Sequence, residues 1–377
     1  MCLAGRGHSL LYRMGLGILM KTAFSYRHGG SPRLELARLG LQERPVLDFS
    51  VNLNCLGSPA IVSEKWQELF GSVESYPSVD GDGIAQYYCK KFGIPSNRFL
   101  AGNGSTEMIY LAPRALRLKS VVIITPSYHD YERASILASA KVIRCTLSPE
   151  SNFSPPGVEE LIDVLGNASA LWLGRPNNPT GTMISKDILL ELADRFPDKW
   201  FIIDEAFIQF VDRWEDESFL TERRRPNILV IHSLTKFYAL AGLRLGGIVG
   251  DEGVISRLRE AKEPWTVNGI ADKVAPLLLE CVDYERKTRS DITKERARIF
   301  QNLKALDWII PFPSSANFIL CQWTKTGNLD DLMRYLLLNG VYVRDCRNFS
   351  GLEKSFFRIG LRTPTENDQL ISLVSSF

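Results

Sequence analysis

The chain has 377 residues, 45% hydrophobic and 23% charged, with a formal net charge of +2. That length exceeds what one core ordinarily organises, so two domains are expected, and the composition is that of a soluble globular protein. The near-balanced charge offers nucleic acid no basic face, the one tight cluster being Arg223–Arg225. Seven cysteines stand far apart with no CxxC pair, and only four histidines occur, so reduced thiols, a cytoplasmic setting and no metal are expected.

In chain order, residues 1–20 hold the apolar run Leu10–Met20, broken by Arg13 and two glycines. It is too short and interrupted to span a membrane and lacks an A-x-A cleavage site, so residues 1–20 are set aside as an uninformative extension and no membrane partner is expected. From about residue 97, short apolar runs alternate with amphipathic stretches. Buried strands are predicted at Val121–Thr125, Lys141–Cys145, Ala170–Gly174, Trp200–Asp204 and Asn227–Ile231, with a helix over Lys186–Arg195. This alternation predicts an α/β fold with a mostly parallel sheet covered on both faces, and ligands at the carboxyl ends of its strands. After Pro264–Asn268, residues 270–308 read as one long charged helix. Strands are then expected at Asn317–Cys321, Val341–Arg344 and Phe356–Gly360, in a smaller α+β domain. The expected layout is a 21–60 arm packing with the small domain, a large domain over 61–270 and a small one over 271–377.

Five segments carry chemistry. Ala101–Glu107 (AGNGSTE) opens a helix, where glycines permit close approach and the amino terminus attracts an anion. Pro126–Tyr131 reads PSYHDY, and Gly174–Thr182 (GRPNNPTGT) is a turn whose amides can donate to a hydroxyl. Trp200–Phe207 (WFIIDEAF) ends a strand in two carboxylates, of which Asp204 is the better partner for a protonated ring nitrogen, although strand-end aspartates also cap helices. Ser233–Gly247 (SLTKFYALAGLRLGG) supplies an amine, two hydroxyls and a guanidinium, a set suited to a phosphorylated aldehyde.

Taken together and in this order, with FFRIGLR near the end, the segments resemble the fold-type I, class I/II pyridoxal phosphate aminotransferases over roughly residues 24–375. The resemblance implies pyridoxal 5'-phosphate as cofactor, Lys236 as the lysine that holds it covalently, Asp204 on the pyridine nitrogen, Asn178 on the ring hydroxyl and Tyr128 on the ring face. Gly104, Ser105, Thr106, Ser233 and Arg244 would hold its phosphate. Tyr76 is similar to the tyrosine that reaches the phosphate from a neighbouring subunit, which implies a homodimer with shared sites. Phe207 stands where many members carry a tyrosine, so Asn178 would meet the ring hydroxyl alone.

Within the family, two branches look closest, the threonine-phosphate decarboxylases and the histidinol-phosphate aminotransferases. Arg27–Gly30 (RHGG), Asp48–Asn54 (DFSVNLN), Phe207, Pro264–Asn268 (PWTVN) and Val343–Leu352 resemble the decarboxylases. His28, Arg344 and Arg358 would then bind a substrate phosphate, since forked donors suit its oxygens. The alternative is that Arg358 holds an α-carboxylate. The expected activity is decarboxylation of L-threonine O-3-phosphate, with L-serine phosphate as an alternate substrate. Histidinol-phosphate transamination is the alternative, and a catalytically silent ligand-sensing module is a third reading of another class.

Overall fold

The computed structural model describes residues 28–377. Its strands, in chain order, begin with β1 (Leu47–Asp48), β2 (Phe99–Asn103), β3 (Ser120–Thr125), β4 (Lys141–Thr146) and β5 (Ala170–Gly174). They continue with β6 (Trp200–Asp204), β7 (Ile228–Ser233), β8 (Leu245–Val249), β9 (Ile309–Pro311), β10 (Phe318–Trp323), β11 (Val341–Tyr342), β12 (Arg344–Asp345) and β13 (Phe356–Gly360).

Seven of these form one sheet in the order β2-β8-β7-β6-β5-β3-β4. All its neighbours pair in parallel except at β8, which runs against both β7 and β2. Every residue of β5, β7 and β8 is buried, the mark of strands covered on both faces, which is why they read as continuous apolar runs rather than alternating ones. The helix Lys186–Arg195 covers one face through Leu189, Leu192 and Ala193. Fully burying side chains such as Leu189 and Leu192 contributes about 1.5–3 kcal/mol each.

Strands β2 and β8 were not expected, because glycines dilute both. Those glycines are structural: a Cβ on Gly247 would lie 2.5 Å from the Leu100 carbonyl oxygen. The long helix expected over 270–308 is two, Gly269–Leu277 and Val282–Lys304. Pro276 lacks an N–H to continue the ladder, and the chain passes through a 3₁₀ turn at Leu278–Glu280 before the second helix starts.

The smaller sheet is antiparallel, in the order β12-β13-β10-β9. Ahead of it in sequence, β1 pairs in parallel with β11, and Phe49 donates to Tyr342 and accepts from Gly360 (2.7 Å each). The segment before residue 60 is thereby stitched to the carboxy-terminal elements. No helix among the described residues is long and apolar enough to cross a membrane.

Candidate active site

Register explains how distant segments meet. In the sheet Gly174 pairs with Asp204 and Asp204 with Ile231, so the loops leaving β5, β6 and β7 emerge side by side at the carboxyl edge. They carry Asn178, Asp204 and Lys236. Because β8 is reversed, its start lies beside the ends of β7 and β2: Ser233 pairs with Gly246, and Asn103 with Leu245. That reversal brings Arg244 to the amino terminus of the helix Ser105–Ala115.

At this edge Arg244 Nη2 donates to Thr106 Oγ1 (3.3 Å), and the Arg244 carbonyl accepts from Gly104 N (2.9 Å). Gly104 has φ +73°, and a Cβ there would lie 2.7 Å from Arg244 Nη2. A Cβ on Gly246 would lie 2.8 Å from Ser105 N. Side chains are thus kept out of a niche framed by a helix amino terminus, a hydroxyl and a guanidinium. Such a niche fits a phosphate dianion. Arg244 and Ala239 hold φ values of +62° and +52°, a left-handed strain of about 1–3 kcal/mol per residue that the surrounding packing sustains.

Lys236 and Asp204 line the same cavity. Burial lowers the Lys236 ammonium to about 8, with Arg244 and Arg358 pushing the same way and Asp204 opposing. Burial lifts Asp204 to about 6 against the pull of its hydrogen bonds. Those bonds come from Tyr131 Oη to Oδ2 (2.8 Å) and Ala206 N to Oδ1 (2.9 Å). An amine brought this low carries far more of its neutral, nucleophilic form at neutral pH than an ordinary lysine, and can condense with an aldehyde. A buried carboxylate one neighbour short of neutralisation suits a protonated ring nitrogen. The niche, amine and carboxylate therefore fit pyridoxal phosphate.

The opposite side of the cavity comes from the small sheet and the amino-terminal segment. Arg344 and Arg358 are directly opposed across β12 and β13, and both are buried. Arg358 donates through Nη1 to Asn178 Oδ1 and through Nη2 to the Ser50 carbonyl (2.9 Å), and forms no ion pair with a carboxylate among the described residues. Burial, with Arg344 adding to it, pulls Arg358 down to about 10. Arg344 donates to Asn348 Oδ1 (2.9 Å) and lies over the Phe349 ring. His28 lies at the rim, its pKa lowered by burial despite Asp130.

Of the residues singled out in the sequence, Lys236, Asp204, Asn178, Tyr128, Ser105, Thr106, Arg244, His28, Arg344 and Arg358 all border this one cavity. Gly104 packs behind Arg244. Ser233 is buried and shares a hydrogen bond with Thr235 (2.8 Å), and it is Thr235 that reaches the cavity. Tyr76 lies elsewhere, 86% exposed and beside Trp265. Phe207 makes an edge contact with Phe318 (5.1 Å) and offers no donor.

The roles of three residues escaped the sequence reading. Tyr131 holds Asp204 across 73 positions, with the second tyrosine of PSYHDY its only sequence trace. Asn54 donates from its backbone to the Lys236 carbonyl (3.0 Å) and from Nδ2 to the Phe237 carbonyl (2.8 Å), so DFSVNLN ends in the brace of the lysine loop. Asn268 of PWTVN does the same for the neighbouring turn, donating to the Leu243 carbonyl (2.9 Å).

A buried lysine, an adjoining carboxylate and an anion niche at the carboxyl edge of a mostly parallel sheet, with a smaller antiparallel domain, define a pyridoxal-phosphate-dependent enzyme of the type I transferase fold. Comparison with known proteins makes this particular. Residues 44–374 match the family Aminotransferase class I and II, and the chain belongs to that family. It is 31% identical over 354 residues to the threonine-phosphate decarboxylase of Salmonella typhimurium, covering 93% of this chain and 96% of that one. Among solved structures it resembles the L-threonine-O-3-phosphate decarboxylase of Porphyromonas gingivalis, with 26% identity, a TM-score of 0.79 and coverage of 87% and 98%. It resembles the histidinol-phosphate aminotransferase of Clostridium acetobutylicum with 28% identity, a TM-score of 0.81 and coverage of 88% and 98%.

Proposed function

We propose that this enzyme decarboxylates L-threonine O-3-phosphate to (R)-1-aminopropan-2-ol O-phosphate for cobamide assembly, and accepts L-serine phosphate less well. The observation that carries the reading is the opposed pair Arg344 and Arg358, two buried guanidiniums facing one cavity. Two forked donors that face one cavity suit the paired oxygens of an anion. A phosphate dianion meets that need better than one carboxylate, and relatives bearing the decarboxylase name support the choice. Serine phosphate lacks one methyl group, worth about 1–3 kcal/mol of discrimination.

In this reading Lys236 would hold pyridoxal phosphate, Asp204 its ring nitrogen and Asn178 its ring hydroxyl. Tyr128 would cover the ring, and Gly104, Ser105, Thr106 and Arg244 would hold its phosphate, with Thr235 beside them and Ser233 bonded to Thr235 from behind. When bound, the cofactor supplies a cationic ring that takes up the electrons of whichever Cα bond stands perpendicular to it. The protein's part is orientation. Arg344, Arg358 and His28 would fix the substrate's side-chain phosphate, and that grip would turn the carboxylate bond, rather than the Cα–H bond, to the perpendicular. The bond from Cα to the carboxylate would break and carbon dioxide leave, and Lys236 Nζ, set free when the substrate's amine takes its place, could deliver the replacing proton to Cα.

The reading also takes residues 61–270 as the cofactor domain, 271–377 as the small domain and 21–60 as the arm, the pairing of β1 with β11 supporting the last. It makes the enzyme a cytoplasmic homodimer in which Tyr76 serves the partner's cofactor. The exposure of Tyr76 and Trp265 favours the dimer, and six unpaired cysteines among the described residues favour a reducing compartment.

The test is direct. The cofactor-loaded protein is incubated with threonine phosphate and carbon dioxide is measured. A parallel incubation with histidinol phosphate and 2-oxoglutarate is assayed for glutamate. Carbon dioxide without glutamate is expected. Glutamate without carbon dioxide would establish the aminotransferase reading, which the likeness to the Clostridium structure favours.

A further inference from the structure

Residues 28–30 are seated directly on Ser50 at the cavity wall, where His28, Gly29 and Ser50 all border the same space. Ser50 is buried, and its polar atoms are all engaged. Its hydroxyl donates to Asp48 Oδ1 (2.5 Å) and accepts from Gly30 N (2.8 Å). Its N–H donates to the same Asp48 oxygen (2.8 Å), and its carbonyl accepts from Arg358 Nη2 (2.9 Å). The two glycines make this seat possible. A Cβ on Gly29 would lie 2.4 Å from the Ser50 carbonyl oxygen and 2.9 Å from its hydroxyl, and Gly30 turns at φ +84° to present its N–H. The platform itself is fixed, since the preceding residue, Phe49, is bonded on one side to Tyr342 and on the other to Gly360.

We infer that Ser50, braced by Asp48, is a positioning residue that holds His28 and Arg358 at a fixed separation, so that both grip one substrate phosphate. The inference rests on the reading that these two residues bind the substrate's side-chain phosphate. Ser50 acts through its neighbours, because no donor or acceptor of its own is left over for the substrate. Its side chain takes the amino-terminal segment and its carbonyl takes the guanidinium from the small sheet, so one residue sets the distance between two separately delivered groups. The Asp48 carboxylate commits the hydroxyl hydrogen, which leaves a lone pair directed at Gly30 N–H. A segment already seated does not have to be ordered when the anion arrives, and that ordering is what weakens binding by loose chain.

The full chain, loaded with pyridoxal phosphate so that the cofactor's own phosphate niche is filled, is titrated calorimetrically with inorganic phosphate. Ser50→Ala should weaken phosphate binding about tenfold, the worth of one well-placed hydrogen bond, with cofactor affinity and absorbance unchanged. Gly29→Ala attacks the same contact from a segment outside the core and should weaken phosphate by a similar factor, so a folding defect in Ser50→Ala does not leave the question open. The discriminating measurement is the double variant. In a His28→Ala background, Ser50→Ala should cost less than about twofold, because the group it positions is gone. A full tenfold loss in that background, wild-type phosphate affinity in Ser50→Ala and Gly29→Ala, or an equal loss of cofactor affinity would each overturn the inference. If His28→Ala and Arg358→Gln both leave phosphate binding unchanged, the phosphate reading itself fails and the inference falls with it, a result separate from failure of Ser50 alone.

Discussion

The two ends of the cavity are built on different plans. At the cofactor end, Lys236, Asp204, Arg244 and the Ser105 helix start come from loops that adjacent strands of one sheet deliver side by side. Their groups already bond one another: Arg244 to Thr106, Tyr131 to Asp204, Asn54 to the Lys236 carbonyl. The other end takes Arg344 and Arg358 from the small sheet and His28 from the amino-terminal segment, and Arg358 donates to the Asn178 side chain and the Ser50 carbonyl. Preorganisation is therefore high where every reaction of this class needs the same geometry. Two buried guanidiniums stand where the substrate binds in the proposed reading.

Breaking the cofactor end should cost most. Lys236→Ala is expected to lower carbon dioxide release by roughly 10⁴-fold or more, since both covalent capture and the proton at Cα are lost. Loss of the protein-bound cofactor's absorbance in the same variant would confirm that the damage lies at this end. Asp204→Asn should follow, at about 10²–10³-fold in kcat, because an amide cannot keep the ring nitrogen cationic. A variant that lost only substrate affinity would contradict this assignment.

The same contrast governs what could be read in the sequence. Lys236, Asp204 and Asn178 were legible because each stands within a few residues of a buried strand's end, so the apolar run announces the strand and the polar residues after it announce the edge. The parallel core was legible for the same reason. Strands β2 and β8 were not, since the glycines that let Gly246 and Gly247 approach neighbouring backbone also erase the branched-residue signal. Contacts closed by tertiary packing left almost no local trace. The bond from Arg358 to Asn178 spans 180 positions, and the opposition of Arg344 to Arg358 depends on a register no spacing reports. The break after Pro276 was missed because the charge periodicity runs on through it.

At the substrate end the expected signature is a split between parameters. Arg358→Gln removes a charge-assisted pair of donors, so KM for threonine phosphate should rise about 10²-fold while affinity for the cofactor changes far less. Steady-state kinetics beside a cofactor titration separates the two. Equal losses in both would show that the bond to Asn178, not the substrate, is what Arg358 serves.

The smallest effect tests the inner support of the cofactor end and has a definite sign in pH. The Tyr131 hydroxyl donates to Asp204 Oδ2, favouring the carboxylate, yet burial still holds Asp204 at about 6. The ionised form is the one that binds the ring nitrogen, so this contribution is present above that pH and fades as pH falls through it. Tyr131→Phe removes a bond to the charged form, which should raise the Asp204 pKa by about one unit. Cofactor affinity of the apoprotein, taken as the ratio of wild type to Tyr131→Phe, cancels the cofactor's own titrations. That ratio should stay near one at about pH 8 and above and climb to about tenfold at about pH 5 and below. A ratio that is flat across this range would mean that Tyr131 merely packs against Trp172, the ring it stacks on at 5.1 Å, and does nothing to keep Asp204 charged.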